Sequence, residues 1–254
     1  MNRIVLMCDY GLDDAAATLY VLDNRGQTPV DILTIAGNSS AERSMENAVK
    51  LLSNYEGSLE NVRIVDTSAQ KQNYCNLPSI HGEDGLGDFL TERELSLPRV
   101  SFDSWITEKE PTELVSLGPC TLTEVILKKR TVTSLLIMGG NVCDEPNFNG
   151  YEFNHYLDKP AFEYCVKNYP GHVAATLDSC RHPSFNLAGK RFEGEKLLCR
   201  VLNKSAELAE ARHKDRCFVY DYIAVRSLFE PDLFTVELAV DKDGNRINML
   251  RCKE

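Results

Sequence analysis

The stretch Ile4-Val5-Leu6-Met7-Cys8-Asp9-Tyr10-Gly11-Leu12-Asp13-Asp14-Ala15-Ala16-Ala17 decides the fold class. Ile4 to Met7 is a short apolar run, suited to a strand covered on both faces. A polar turn punctuated by Gly11 follows, and the helical pattern from Asp13 to Asp23 then begins. Strand, acidic turn and helix together form the first half of a βαβ unit.

The same rhythm continues outward. Ile32 to Ile35 precedes a helical stretch from Met45 to Tyr55, and Val62 to Val65 forms another strand-like run. Leu114 to Leu117 leads into Leu122 to Lys128, Leu135 to Met138 follows, and the helical segment Pro160 to Asn168 precedes a strand at Val173 to Leu177. Runs apolar on both faces predict an α/β fold with a mainly parallel central sheet and helices on both faces. After Asp178 the pattern becomes helical, through Glu193 to Arg212 and Val219 to Phe229. Phe234 to Leu250 then reads as a C-terminal hairpin turning at Asp241-Lys242-Asp243-Gly244.

A chain of 254 residues with 43% hydrophobic content suffices for one large domain or two small ones. Without a repeat, low-complexity tract or linker, residues 1–254 read as a single domain. The formal net charge of −10 argues against nucleic acid as partner, because that affinity rests on Lys and Arg displacing counterions. A small molecule fits better. Nine cysteines without paired spacing suggest neither a disulfide framework nor a zinc site, which favours a reducing cytoplasmic setting. The apolar run after Arg3 is too short for a signal-peptide core, and no run approaches the roughly 20 residues of a membrane span.

Polar clusters fall where strands should end: Asp9 to Asp14, Gly37-Asn38, Gly118-Pro119-Cys120-Thr121 and Gly139-Gly140-Asn141. Ligands of open parallel sheets bind beyond those carboxyl ends. Three aspartates within six residues suit a hard divalent cation, calcium above all. Asp13 and Asp14 would equally serve as acids capping a helix start.

The turn Met7-Cys8-Asp9-Tyr10-Gly11-Leu12-Asp13-Asp14-Ala15 resembles the signature of the inosine-uridine-preferring nucleoside hydrolases. The resemblance extends through Ala36-Gly37-Asn38, His81-Gly82-Glu83-Asp84-Gly85-Leu86-Gly87, Leu117-Gly118-Pro119-Cys120-Thr121, Ile137-Met138-Gly139-Gly140, Glu152-Phe153-Asn154 and Tyr220-Asp221-Tyr222-Ile223-Ala224-Val225. These segments run in family order through about 220 residues.

The resemblance implies a Rossmann-like nucleoside hydrolase fold and calcium-dependent cleavage of the N-glycosidic bond of a ribonucleoside. It implies that Asp9, Asp14, Asp221 and the backbone carbonyl of Thr121 hold calcium, with Asp9 also activating the attacking water. Asp13 and Asn38 would bind the 2′ and 3′ hydroxyls, while Glu152 and Asn154, helped by Asn147, would hold the 5′ end. Met138 would pack below the sugar, Asp221 would also border it, and His81 would approach the base. A homo-oligomer, dimer or tetramer, and a place in purine or pyrimidine salvage are implied as well.

Three departures stand out. Met7 replaces the family's first aspartate, which predicts altered support for the acids rather than loss of the metal. Tyr10 replaces a proline and would sit near the pocket mouth or face solvent. Tyr220 replaces the histidine that in many members protonates the departing base, and a phenol with an ordinary pKa near 10 is a weaker acid at neutral pH, so the base would be activated by Tyr220 itself, by another acid, by Tyr222 or His81, or would leave without help. The stretch from Asp88 to Leu114 is also short, so loops over the base are expected to be reduced.

Two other readings follow from these departures. A ribonucleoside 5′-monophosphate or another N-riboside would be the substrate if a cation such as Arg181 or His182 reached the 5′ pocket. A nucleoside-binding protein with weakened catalysis would result if Met7 and Tyr220 cost turnover.

Overall fold

The computed structural model describes residues 2–253. β1 (Arg3–Cys8) passes through the turn at Asp9 to Gly11 into α1 (Leu12–Asn24). β2 (Val30–Thr34), α2 (Ala41–Ser53), β3 (Val62–Asp66) and the single turn α3 (Pro78–His81) follow. Next come β4 (Arg99–Ser101), α4 (Phe102–Trp105), β5 (Thr112–Ser116), α5 (Thr121–Lys129) and β6 (Val132–Met138). The chain continues through α6 (Phe153–Leu157), α7 (Lys159–Asn168), β7 (Val173–Ala175), α8 (Leu177–Cys180), α9 (Leu197–Ala211), α10 (Tyr220–Phe229), β8 (Phe234–Val240) and β9 (Arg246–Cys252).

Among the described residues the strands form one sheet, ordered β4-β3-β2-β1-β5-β6-β7-β9-β8. All neighbours pair in parallel except β8 with β9, whose antiparallel hairpin closes one edge. β1 lies between β2 and β5, so the strand order reverses there. A crevice opens beyond the carboxyl ends at such a switch point. Asp9 follows β1 and Gly118 follows β5, so the predicted acid and its glycine neighbour flank that crevice.

Alternate residues of β1 serve opposite faces of the sheet. Ile4, Leu6 and Cys8 join the core beneath α1, α9 and α10, while Val5 and Met7 join the core beneath α4, α5 and α7. Apolar burial on both faces explains why the strands read as continuous hydrophobic runs. No helix among the described residues is long and apolar enough to cross a membrane.

Several expected boundaries move. The helix expected from Glu193 begins at Leu197, because Gly194 takes a positive φ of 119° and the chain is extended at Lys196. The strand expected through Leu177 stops at Ala175, where Thr176 caps α8 by accepting from the Ser179 amide. The short stretch before Leu114 forms β4 and α4. Trp105 anchors this segment: its ring is fully buried and its Nε1 donates to Asp31 at 2.7 Å.

Candidate active site

The acidic turn is held by its own backbone. Asp14 accepts from the Gly11 amide at 2.9 Å and from the Asp9 amide at 3.2 Å, so it caps α1. It also contributes to an acidic centre: carboxylate oxygens of Asp13, Asp14 and Asp221 lie within 4.8 Å of one another. Asp221 reaches them from the first turn of α10. Capping and ion binding are therefore compatible roles for the same acid.

Asp9 stands beside this trio, held at both oxygens. The Asn38 amide donates to its Oδ2 at 2.6 Å and the Asn38 side chain to its Oδ1 at 3.0 Å. Ser44 Oγ fixes the Asp9 carbonyl at 2.8 Å. Gly37 is required by this approach, since a Cβ there would lie 1.9 Å from Asp9 Oδ2. Met138, at the end of β6, lines the same cavity.

Burial and mutual repulsion govern these acids. Loss of water pushes Asp9 up to about 6, although its bonds with Asp14 and Asn38 oppose the rise. Asp14 and Asp221 are raised well above the usual carboxylate range by burial and then by the neighbouring aspartates. Among the described residues no Lys or Arg pairs with Asp9, Asp13, Asp14 or Asp221. Asp13 Oδ1 and Asp221 Oδ1 are buried without a hydrogen-bond partner. A cluster of oxygens that is buried, mutually repelling and partly unsatisfied fits a hard divalent cation.

These acids open into a cavity of about 500 Å³, within the roughly 300–1,000 Å³ typical of small-molecule sites. Glu152 and Asn154 line one end, from the N-terminus of α6. Glu152 accepts from the amides of Gly140, Asn154 and His155. Burial nevertheless pushes it up to about 7. Asn154 Nδ2 donates to the carbonyls of Leu117 and Met138, tying β5, β6 and α6 together. Asn147 also borders this end. Its loop hangs on Asp178, which accepts from the amides of Val142, Cys143 and Asp144. Asp178 was not among the expected site residues, because its role depends on a loop more than 30 residues away.

His81 and Tyr220 also line the cavity. His81 Nδ1 accepts from the Leu12 amide at 3.1 Å, and burial lowers its pKa. Its Nδ1 is thus an acceptor, which leaves the proton on Nε2. Tyr220 Oη accepts from Arg181 Nε at 3.4 Å. Burial raises the phenol while Arg181 acts in the opposite sense. Arg181, weighed from the sequence as a cation for the pocket, does line it, whereas His182 turns instead to Ser184 Oγ at 2.8 Å. Thr121 opens α5, and its hydroxyl donates to Asp158 at 2.6 Å.

A model of the inosine-uridine preferring nucleoside hydrolases matches residues 4–250. The chain belongs to that family. It is therefore a nucleoside hydrolase, an enzyme that cleaves N-glycosidic bonds, and the resemblance read from the motifs is correct. The chain is 26% identical over 269 residues to the non-specific ribonucleoside hydrolase RihC of Escherichia coli (strain SMS-3-5 / SECEC), covering 95% of this chain and 84% of that protein. RihC of Salmonella agona (strain SL483) matches at 26% over 268 residues with the same coverage. The fold is that of the purine-preferring ribonucleoside hydrolase from Gardnerella vaginalis, with a TM-score of 0.77 at 21% identity, covering 99% and 93% of the two chains.

Against the family signature, Tyr10 is corrected. It neither borders the pocket mouth nor faces solvent: it is 1% exposed and its Oη accepts from Thr18 at 3.4 Å within the core. Its φ of 51° is closed to proline, whose ring fixes φ near −65°. The nucleoside hydrolase turn thus follows a path here that proline could not take. Met7 is fully buried beside Thr123, whose hydroxyl approaches its Sδ at 3.5 Å. The sulfur lies on the sheet face opposite α1.

Proposed function

We propose that this nucleoside hydrolase uses calcium and Asp9 to add water across the C1′–N bond of a ribonucleoside, releasing free base and ribose. The observation that supports this most directly is the buried, partly unsatisfied acid centre beside Asp9. Asp9, Asp14, Asp221 and the Thr121 carbonyl are the proposed calcium ligands, and the close grouping of Asp13 with Asp14 and Asp221 adds Asp13 as a neighbour of the ion. Calcium, when bound, supplies a hard positive centre that acidifies water and attracts vicinal hydroxyls.

Asp9 takes the proton of the attacking water as the ionised carboxylate, the form that a bound cation would favour. Asn38 holds Asp9 in place and, with Asp13, binds the 2′ and 3′ hydroxyls. Glu152, Asn154 and Asn147 bind the 5′ end, and Met138 supports the sugar from below, so the ribose is fixed as C1′ becomes oxocarbenium-like. The C–N electron pair leaves with the base, which Tyr220 protonates through its hydroxyl, with His81 alongside. Residues 1–254 act as a single domain, in a dimer or tetramer, within cytoplasmic purine or pyrimidine salvage.

A second reading, a 5′-monophosphate substrate, is favoured by one observation: Arg181 lines the cavity and its Nη1 donates to the Glu145 carbonyl at 2.6 Å, near Asn147. Ribose release from purine and pyrimidine ribonucleosides and their monophosphates, with calcium and with a chelator, separates these readings. Calcium-dependent release from nucleosides is expected. Release from monophosphates alone supports the second reading, and binding without release would leave only a nucleoside-binding protein.

A further inference from the structure

The cavity is lined by groups of both signs. Asp9, Asp13, Glu145, Glu152 and Asp221 border it as acids. Arg212, Lys214 and Arg216 line it from the connection between α9 and α10. On the roles proposed above for His81 and Tyr220 this is the side of the base: the connection ends at Tyr220, and Arg212 and His81 both line the cavity.

These three cations lack anionic partners. Arg212 Nε donates only to the Leu208 carbonyl, and among the described residues Lys214 and Arg216 make no side-chain hydrogen bond or ion pair. The nearby acids are engaged or turned away: Glu210 pairs with Arg191, and Asp215 does not line the cavity. Arg181 differs, having Asp144 at 3.9 Å. In a chain carrying 38 acids against 28 bases, three unpaired cations from one short connection beside the cavity are a local reversal of sign.

We infer that the substrate's base carries an anionic group of the carboxylate class, bound by Arg212, Lys214 and Arg216. The inference rests on the nucleoside hydrolase reading and narrows its substrate. It also bears on the missing histidine. As the C1′–N bond breaks, electron density passes to the base, and cations beside it stabilise that charge without requiring a strong acid at Tyr220.

The test compares matched probes on the calcium-loaded full chain: uridine, 5-carbamoyluridine, 5-carboxyuridine and uridine 5′-monophosphate. The carboxylate should exceed the carboxamide in kcat/KM by about tenfold, as several partly exposed charge pairs together would give. That ratio should shrink in raised salt and approach one in the Lys214→Gln/Arg216→Gln double variant. Cleavage of uridine with no carboxylate preference would overturn the inference and leave the hydrolase reading intact. Preference for the monophosphate over all others would place anion recognition at the 5′ end and overturn the base-side assignment. Failure to cleave any probe or any common ribonucleoside would overturn both.

Discussion

Asn38 holds both carboxylate oxygens of Asp9, through its backbone amide at 2.6 Å and its side-chain amide at 3.0 Å. The side-chain bond fixes the orientation of the proposed base, while the backbone bond persists in any variant. Asn38→Ala should therefore lower kcat/KM by about 100-fold, the scale on which misplaced catalytic groups lose rate. Thermal unfolding and steady-state ribose release check this together. Near-normal turnover in a folded variant would show that Asn38 does not position Asp9.

Gly37→Ala tests the same contact sterically. The new Cβ would meet Asp9 Oδ2 at 1.9 Å and Pro119 Cδ at 2.8 Å, so the Asp9 carboxylate must move. Activity should fall below that of Asn38→Ala, because the carboxylate itself is displaced. Ribose release and calcium binding by calorimetry measure the two consequences. Activity close to the parent's would mean that the Asp9 position is not critical.

Asp9 rises from its ordinary 3.8 to about 6 and Glu152 from 4.5 to about 7, so each binds its proton more tightly when folded. Such acids cost stability as pH rises from the unfolded value through the folded one, roughly 3 kcal/mol for Asp9 alone. Chelated protein should unfold at a higher temperature near about pH 5 than near about pH 8. Calcium should remove the share of that difference due to Asp9 and the neighbouring aspartates by binding their ionised forms, and leave the share due to Glu152. A chelated protein that gained stability over this rise in pH would contradict the repulsive acid centre.

Tyr220 accepts from Arg181 Nε at 3.4 Å beside the cavity. Tyr220→Phe removes the hydroxyl but keeps the ring. It should slow ordinary nucleosides by about tenfold more than 4-nitrophenyl riboside, whose leaving group needs little protonation. Equal slowing of both probes would show that Tyr220 acts on the sugar or on packing instead.

The acidic turn was legible because its partners are local: Asp9, Gly11 and Asp14 bond within six residues. The parallel sheet was legible because burial on both faces leaves uninterrupted apolar runs such as Val5, Leu6 and Met7. β4 and α4 were not, since their anchor is a bond from Trp105 to Asp31, 74 residues away. Tyr10 was misread because only the turn's positive φ sends its side chain inward. The basic residues were equally hidden: Arg212, Lys214 and Arg216 sit in a connection without periodicity, and only the packing of α9 and α10 against α1 brings them to the cavity that Asp9 and Asp13 line.

The most direct test is the stoichiometry of products from a cleaved ribonucleoside, in phosphate-free buffer, comparing the calcium-loaded chain with Asp9→Ala. One free base and one ribose per nucleoside, lost in Asp9→Ala while its unfolding stays cooperative, is the expected result. Undiminished release by Asp9→Ala would contradict water activation by Asp9.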